Sequence, residues 1–197
     1  MSVSVSVYRE SLPQSGVGDF VAGVGCATGM ALGITFFFAG LRRLGVPRAR
    51  REIATVLLAV NPAVVLFATV VEFHAPLMAV VGMAFWWTAV QVHRPTWWGM
   101  VVLGGLTHLC FLMHSSAVLL PGWLLPFFLA RRWSQGQHRR DLLMATLAGV
   151  VHALLWFVLP RLLAAYGSDF YGWHADLSKA YEMETSIGRP QSLDYLP

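Results

Sequence analysis

Residues 53–92 read IATVLLAVNPAVVLFATVVEFHAPLMAVVGMAFWWTAVQV, and this stretch decides the fold class. It contains two apolar runs, 53–71 and 77–92, joined by the short polar sequence EFHAP at 72–76. A helix that crosses a bilayer needs roughly 20 apolar residues, so each run is close to the length of one span. The stretch therefore predicts a helical hairpin in a membrane with a polar joint at its tip.

The composition of the whole chain agrees with that prediction. Of the 197 residues, 56% are hydrophobic and only 12% are charged, whereas a soluble domain is about 45–50% apolar and about 25% charged. The net charge of +4 comes from short basic clusters between apolar runs. Membrane topology explains such clusters better than nucleic-acid binding, so no nucleic-acid partner is expected. Cys26 and Cys110 lie in apolar segments without metal-type spacing and are interpreted as buried thiols.

The remaining apolar runs predict an all-α, polytopic transmembrane bundle of about six spans. The predicted spans are 17–41, 53–71, 77–92, 97–113, 116–130 and 142–165. The apolar stretch between 97 and 130 is divided in two, because one straight span of that length needs extreme tilt. A polar segment, 1–16, precedes the core. A polar tail, 166–197, follows it and is expected to begin an outer loop.

The basic residues predict how the spans are oriented. Placing the loops 42–52, 93–96 and 131–141 in the cytoplasm puts ten of the fourteen basic residues there. Cytoplasmic loops of membrane proteins carry such an excess of arginine and lysine. Both termini and the EFHAP joint are therefore predicted to lie outside the cytoplasm, and a bacterial inner membrane is the expected location.

Glu72 and His74 are the first candidate catalytic residues, because a carboxylate and an imidazole meet at the joint of the hairpin. One interpretation is a hydrated turn, with Pro76 in the first turn of the next helix. The other is an acid/base or cation-holding site on the outer membrane face. The residue types alone leave both interpretations open.

Four further residues are candidates for substrate binding. His108 lies within an apolar run, where an imidazole hydrogen-bonded between helices is the simpler interpretation. His114 precedes two serines at the predicted outer boundary and is better placed to contact an anionic group. Asp169 and His174 in the tail either complete an outer site or are ordinary solvated residues.

Other histidines point to packing or leave the chemistry open. His152 lies one helical turn before Trp156, which favours packing with a hydrogen bond to another helix. None of the seven histidines pairs with another at i, i+4, so no metal site is predicted, although a divalent metal at the outer face is left open. No cofactor is firmly implied.

Several of these features recur in one order along the chain. They are an arginine-rich turn, RRLGVPRARRE at 42–52, then Asn61-Pro62, then Glu72, then GMVVLGGLTH at 99–108 and HSSAVLLPGWLLPFFLARR at 114–132. This order resembles the core of the GT-C superfamily of membrane glycosyltransferases, especially the relatives of the dolichyl-phosphate-mannose-dependent protein O-mannosyltransferases. The resemblance covers roughly residues 17–165.

The resemblance implies an enzyme that moves a sugar from a polyprenyl-phosphate donor to a protein, lipid or glycan acceptor. Glu72 matches the acidic residue of the second outer loop of these enzymes, and His108 matches a histidine of their fourth span. His74 or His114 would face the phosphate leaving group. The family's first span and its large acidic outer loop have no counterpart here, so a partial chain or an inactive truncated member is expected.

A different class of function remains as an alternative. The chain could be a non-catalytic membrane protein, such as a transporter subunit or an assembly factor. Transporters place ionisable residues or broken helices near the bilayer midplane. Here only His108 and His152 are predicted to lie deep, and no carboxylate does, which makes transport the weaker interpretation.

Overall fold

The computed structural model describes residues 16–62, 64–65, 74–113 and 115–165. Within these ranges the chain forms α-helices and short 3-10 helices without any β-strand, which confirms the all-α prediction for this part. The α-helices whose bounds fall within the described residues are α1 (Gly16–Arg43), α2 (Arg48–Ala59), α3 (His74–His93), α4 (Trp97–Met113), α5 (Leu120–Arg132) and α6 (His138–Ala165). Two 3-10 helices, Ser115–Leu119 and Trp133–Gln135, precede and follow α5.

Three of these helices are long and apolar enough to cross a membrane. The apolar segments are Gly23–Arg43 in α1, Ala75–His93 in α3 and His138–Leu159 in α6. Helix α4 is also apolar but has 17 residues, a length of about 25 Å. Helices α2 and α5 have 12 and 13 residues. By length and composition, three of the six predicted spans are thus matched among the described residues.

Helix α2 ends at Ala59, inside the predicted span 53–71, because the next residues are unfavourable for a helix. Pro62 has no N–H group and restricts Asn61 before it to extended conformations. The backbone N–H of Asn61 donates to the carbonyl of Leu58 at 3.2 Å, and a new helical turn begins when Val65 N–H donates to Asn61 at 3.0 Å. The chain therefore changes its helical path at the Asn-Pro pair.

Helices α1 and α3 pack in parallel with very close backbones. A Cβ atom added at Gly29 would lie 2.7 Å from the carbonyl oxygen of Ala75, and one at Gly33 would lie 2.6 Å from that of Met78. Because these contacts move forward in sequence on both helices, the two helices run in the same direction. Helix α2 runs antiparallel to α1, with the guanidinium of Arg51 4.7 Å from the ring centroid of Phe38.

The second half of the bundle repeats this arrangement. Helices α4 and α6 are parallel, and Gly104 would place a Cβ atom 2.6 Å from the carbonyl oxygen of Ala148. Helix α5 runs antiparallel to α6, since Arg132 at its end pairs with Asp141 near the start of α6. Successive helices therefore alternate in direction from α1 to α6, as a chain that crosses a layer repeatedly must do.

This alternation brings all the helix ends rich in arginine to one side. The ends of α1, α3 and α5 and the starts of α2, α4 and α6 form what we call the basic end. Its arginines are Arg42, Arg43, Arg48, Arg50, Arg51, Arg94, Arg131, Arg132, Arg139 and Arg140. The other side, where α3 begins and α4 and α6 end, is called the opposite end.

A compact turn at the basic end joins α3 to α4. The side chain of Thr96 caps α4 by accepting a hydrogen bond from Gly99 N–H at 3.0 Å. Gln91 is 2% exposed, and its Oε1 accepts the backbone N–H of Thr96 at 2.9 Å. The indole N–H of Trp87 donates to the carbonyl of Gly99 at 2.7 Å. These bonds satisfy the polar groups of a turn with very few residues.

The surface of the bundle carries many large apolar side chains. The buried core of α3 to α6 includes Ala84, Met100, Leu103, Leu124, Phe128, Met144 and Ala148. Outside it, Phe157 is 60% exposed and Trp98 is 80% exposed. Only 22% of the apolar segment of α6 is buried inside the protein. So much exposed apolar surface is compatible with a membrane location.

Candidate functional site

The residues predicted to carry the chemistry are described only in part. Glu72, His114, Asp169 and His174 lie outside the described residues. His74 is the first residue of α3, and its side chain lies outside the described part of the chain. His108 is fully described.

The helix ends that are next in sequence to the predicted site residues are nevertheless described. Helix α3 begins at His74, immediately after the sequence position of Glu72. Helix α4 ends at Met113, one residue before His114, and α6 ends at Ala165, before the tail. Because α3 runs antiparallel to α4 and α6, these three ends lie at the opposite end of the bundle. The described helix ends that adjoin Glu72, His114 and the tail in sequence therefore lie on the same side of the bundle.

His108 lies between helices, close to a second histidine. It is 2% exposed and its ring centroid lies 5.6 Å from that of His152, at an angle of 73° between the ring planes. His108 lies five residues before the end of α4, which corresponds to about 8 Å along the helix axis. The two imidazoles thus form a buried pair below the opposite end.

A threonine orients the second imidazole. The hydroxyl of Thr107 donates to the carbonyl of Gly104 at 2.9 Å, and the same oxygen lies 3.3 Å from Nδ1 of His152. Since the single hydroxyl hydrogen is used on Gly104, Nδ1 of His152 is assigned as the donor to Thr107 Oγ1. Nε2 of His152 then carries a lone pair, and no hydrogen-bond partner for it lies among the described residues.

Aromatic rings cover the histidine pair on the side of the opposite end. Phe111 stacks on Trp156 with ring centroids 4.6 Å apart and 21° between the planes. Phe111 also lies 5.8 Å from His108 and 6.3 Å from His152, measured between ring centroids. This stack shields the imidazoles and gives the buried pair a defined orientation. Chemically, Nε2 of His152 can accept a proton or a hydrogen bond from a polar group that enters between α4 and α6.

The sequence predicted the interhelical role of His152 but not its pairing with His108. Spacing along one helix offers neither histidine a second histidine as partner. The distance of each histidine from the start of its helix could have indicated the pairing. His108 is eleven residues after the start of α4, and His152 is fourteen after the start of α6. Since both helices start at the basic end, the two side chains lie at similar depths. Only the packing of α4 against α6 makes them neighbours.

Metal ligands were also considered. No group of three or more His, Cys, Asp or Glu side chains among the described residues could hold a metal ion. The histidine pair supplies two ligands at most, and Cys110 and Cys26 are buried thiols outside it. No step of a mechanism is therefore derived through a metal.

A second buried polar group lies at the basic end and is structural. Nε of Arg132 lies 2.8 Å from Oδ1 of Asp141, and both side chains are 3% exposed. Nη1 of Arg132 also donates to the carbonyl oxygen of Val92 at 2.9 Å. The pair thus joins the ends of α3 and α5 to the start of α6. In the sequence, Arg132 is one of many arginines that predict topology, and Asp141 has no predicted role.

The hydrogen bond between Thr107 and His152 gives a testable prediction. We expect Thr107→Val to lower the free energy of unfolding by about 1 kcal/mol, because interhelical hydrogen bonds in membrane bundles contribute about that much. Thr88→Val is a matched control, since Thr88 is fully buried but its hydroxyl bonds only to Ala84 in its own helix, at 2.8 Å. Unfolding in detergent, followed by tryptophan fluorescence, measures both. Equal losses in the two variants would show that the contact to His152 contributes nothing.

In comparisons with known proteins, the chain matches no protein-family model, no curated protein and no solved structure.

Proposed function

We propose that this chain is the core of a membrane glycosyltransferase that acts outside the cytoplasm. It transfers a sugar from a polyprenyl-phosphate donor to a protein, lipid or glycan acceptor. The proposal is supported chiefly by one observation: the described helix ends next in sequence to Glu72, His114 and the tail lie on the same side, away from the arginine-rich end. A lipid-linked donor must meet its acceptor at the membrane surface, and this end offers several polar residues for that purpose.

The orientation is part of the proposal. With the basic end in the cytoplasm, the opposite end faces the outside of a bacterial inner membrane. Helix α3 then starts, at His74, on the outer side of the bundle. The N-terminus of a helix favours negative charge, such as a donor phosphate. That position suits a leaving group that departs as a phosphate anion.

Each predicted residue has a role in this transfer. Glu72 accepts the proton of the acceptor hydroxyl as its oxygen forms a bond to the anomeric carbon of the sugar. The bond between that carbon and the phosphate oxygen breaks, and its electron pair leaves with the polyprenyl phosphate. His74 and His114 donate hydrogen bonds to the phosphate, which stabilises the charge of the leaving group. Asp169 and His174 bind substrate around the reacting centre, whereas His108 is 2% exposed and lies behind the aromatic stack.

The principal test concerns the carboxylate at the joint. We expect Glu72→Gln to reduce sugar transfer at least about 100-fold, because a positioned general base contributes about 10²–10⁴-fold. The intact protein is assayed in membranes with polyprenyl-phosphate-linked monosaccharides, and the released polyprenyl phosphate is measured by mass spectrometry. Transfer by Glu72→Gln at the wild-type rate would remove this residue from the mechanism.

A control separates the loss of this base from the loss of any carboxylate. Glu52 is an exposed carboxylate at the basic end, where it pairs with Arg48 at 2.7 Å. Glu52→Gln removes the same charge far from the proposed site and is expected to keep full transfer. If wild-type protein releases no polyprenyl phosphate with any donor, the glycosyltransferase proposal fails as a whole.

One observation favours a second candidate, a transporter subunit. Paired ionisable groups inside a helical bundle are typical of substrate and proton pathways, and His108 and His152 form such a pair. In that case His152→Phe should abolish solute uptake into vesicles while Glu72→Gln leaves it unchanged. The glycosyltransferase proposal expects the reverse dependence for sugar transfer, with Glu72 as the essential residue.

A further inference from the structure

An open cleft lies at the basic end, between the ends of α1 and α3. Arg43, His93 and Arg94 line it, and its volume is about 420 Å³. A second cleft of about 390 Å³ adjoins it, because Arg43 also lines that one, together with Arg42, Ala39 and Trp86. Three arginines and a histidine at the ends of α1 and α3 therefore line two adjoining open clefts that share Arg43.

The positive charge of this cleft has no carboxylate to balance it among the described residues. At the basic end the described carboxylates are Glu52 and Asp141, and each is already paired with an arginine outside the cleft. Arg42, Arg43 and Arg94 belong to no ion pair in the described part of the chain. Like charges held close together repel one another, so an anion in the cleft would stabilise the protein.

The backbone carbonyls at these helix ends accept hydrogen bonds from other groups than the arginines of the cleft. At the end of α1, the N–H groups of Gly45 and Val46 donate to the carbonyls of Arg42 and Leu41 at 3.1 Å each. The carbonyl of Leu44 accepts Nη2 of Arg131 at 3.3 Å. At the end of α3, Arg132 bonds to Val92. Arginines of α5 therefore satisfy the helix ends, which leaves the exposed side chains of the cleft available for a ligand.

The wall of the cleft distinguishes a lipid from a soluble anion. Ala39 and Trp86 are half-buried apolar residues on the membrane side of the arginines, and the ring centroid of Trp86 lies 5.7 Å from that of Phe36. A free phosphate ion gains nothing from an apolar wall beside its cations. A phospholipid places its phosphate among the arginines and its glycerol and first acyl carbons along the wall.

We propose that the ends of α1 and α3 bind the phosphate headgroup of an anionic membrane phospholipid. Arg42, Arg43 and Arg94 hold the phosphate, with His93 at the rim, while Trp86 contacts the lipid below the headgroup. Basic pockets between membrane helices on the cytoplasmic side recognise such headgroups. The proposal depends on a membrane location but not on glycosyl transfer, because the cleft lies at the basic end.

The experiment compares lipids and matched charge variants. The purified full chain, delipidated in neutral detergent, is titrated with phosphatidylglycerol, phosphatidylcholine or inorganic phosphate. Bound lipid is counted by native mass spectrometry, and Tm is followed by tryptophan fluorescence. The wild-type protein is expected to retain phosphatidylglycerol and to gain thermal stability from it. Phosphatidylcholine and inorganic phosphate should give neither effect at equal concentration.

Two double variants remove the same charge from different places. Arg43→Gln with Arg94→Gln should weaken phosphatidylglycerol binding about tenfold or more, since each basic residue near an anionic lipid surface contributes about a fivefold preference. Arg139→Gln with Arg140→Gln removes two exposed arginines of the same end outside the cleft and should leave binding unchanged. Arg43→Lys with Arg94→Lys keeps the charge and should retain most of the binding, which shows that the altered helix ends still fold.

Three results would overturn the proposal. Equal loss of binding in the two glutamine variants would mean that diffuse surface charge attracts the lipid. Equal binding of phosphatidylcholine would mean that the phosphate charge is not recognised. Stabilisation by inorganic phosphate to the same degree would assign the cleft to a soluble anion.

Discussion

Replacing Gly33 by leucine is expected to lower the free energy of unfolding by about 3 kcal/mol or more, because the side chain would have to occupy space filled by backbone. A Cβ atom at Gly33 would lie 2.6 Å from the carbonyl oxygen of Met78, and one at Gly82 would lie 2.5 Å from that of Gly33. The obstructing atoms belong to helix backbones and cannot rotate away. The two helices can accept leucine only by moving apart.

The size of this effect follows from how membrane helices associate. Between apolar helices in lipid there is no hydrophobic driving force, so close contact through small residues supplies much of the attraction. Gly29 and Gly33 are spaced four residues apart and bring one face of α1 against α3 over more than one turn. Separating the helices at Gly33 therefore also weakens the contact at Gly29.

A glycine on the same helix provides the control. Gly25 is exposed and a Cβ atom added there would meet nothing within 4 Å. Gly25→Leu should leave Tm unchanged or raise it slightly, because leucine favours helix more than glycine does. Thermal unfolding in the same detergent compares both variants with wild type. Gly33→Leu with the Tm of wild type, or an equal drop in Gly25→Leu, would contradict the close packing of α1 on α3.

The second large effect is expected at the buried ion pair of the basic end. Asp141→Asn should lower the free energy of unfolding by about 3 kcal/mol, because it leaves the charge of Arg132 buried without its counter-charge. Both side chains are 3% exposed and their charged atoms lie 2.8 Å apart. The remaining contact, from Nη1 of Arg132 to the carbonyl of Val92, does not neutralise a guanidinium.

A double variant tests whether the charge or the shape of the pair is essential. Arg132→Met with Asp141→Leu removes both charges and keeps apolar volume, so it should recover most of the lost stability. Glu52→Gln breaks the exposed pair with Arg48 and should leave Tm unchanged, since solvent screens that pair. If Asp141→Asn unfolds at the wild-type temperature, the ion pair is not part of what holds α3, α5 and α6 together. A double variant no more stable than Asp141→Asn would show that the hydrogen bond to Val92 matters more than the charge.

Together the glycine contacts and the buried ion pair fix the relative positions of the helices. The glycine contacts hold α1 on α3, and the ion pair holds α3, α5 and α6 at the basic end. The start of α3 and the ends of α4 and α6 therefore belong to helices with defined relative positions. A catalytic arrangement needs such support, because misplacement by about 1 Å can reduce a rate about 100-fold.

Some features of this protein were determined by the sequence alone, because they depend on each residue and its immediate neighbours. The apolar runs predicted an all-helical chain, since a helix satisfies its own backbone wherever water is scarce. The predicted end of the span 97–113 corresponds to the end of α4 at Met113, and the arginine clusters correspond to the basic end. The end of α2 before Asn61-Pro62 is a local effect of proline. The apolar run 53–71 by itself predicts one uninterrupted span.

Other features were decided only by the tertiary structure, because they depend on what a distant part of the chain places nearby. Positions 25 and 33 of α1 both carry glycine, yet of these two only Gly33 lies against the backbone of α3. Arg132 and Arg140 belong to the same basic segment, yet only Arg132 is buried against a carboxylate. His108 and His152 are 44 positions apart and meet because α4 and α6 run in parallel. Hydropathy predicts the length of a helix and the arginine clusters predict its direction, whereas the partner of each side chain is set by packing between helices.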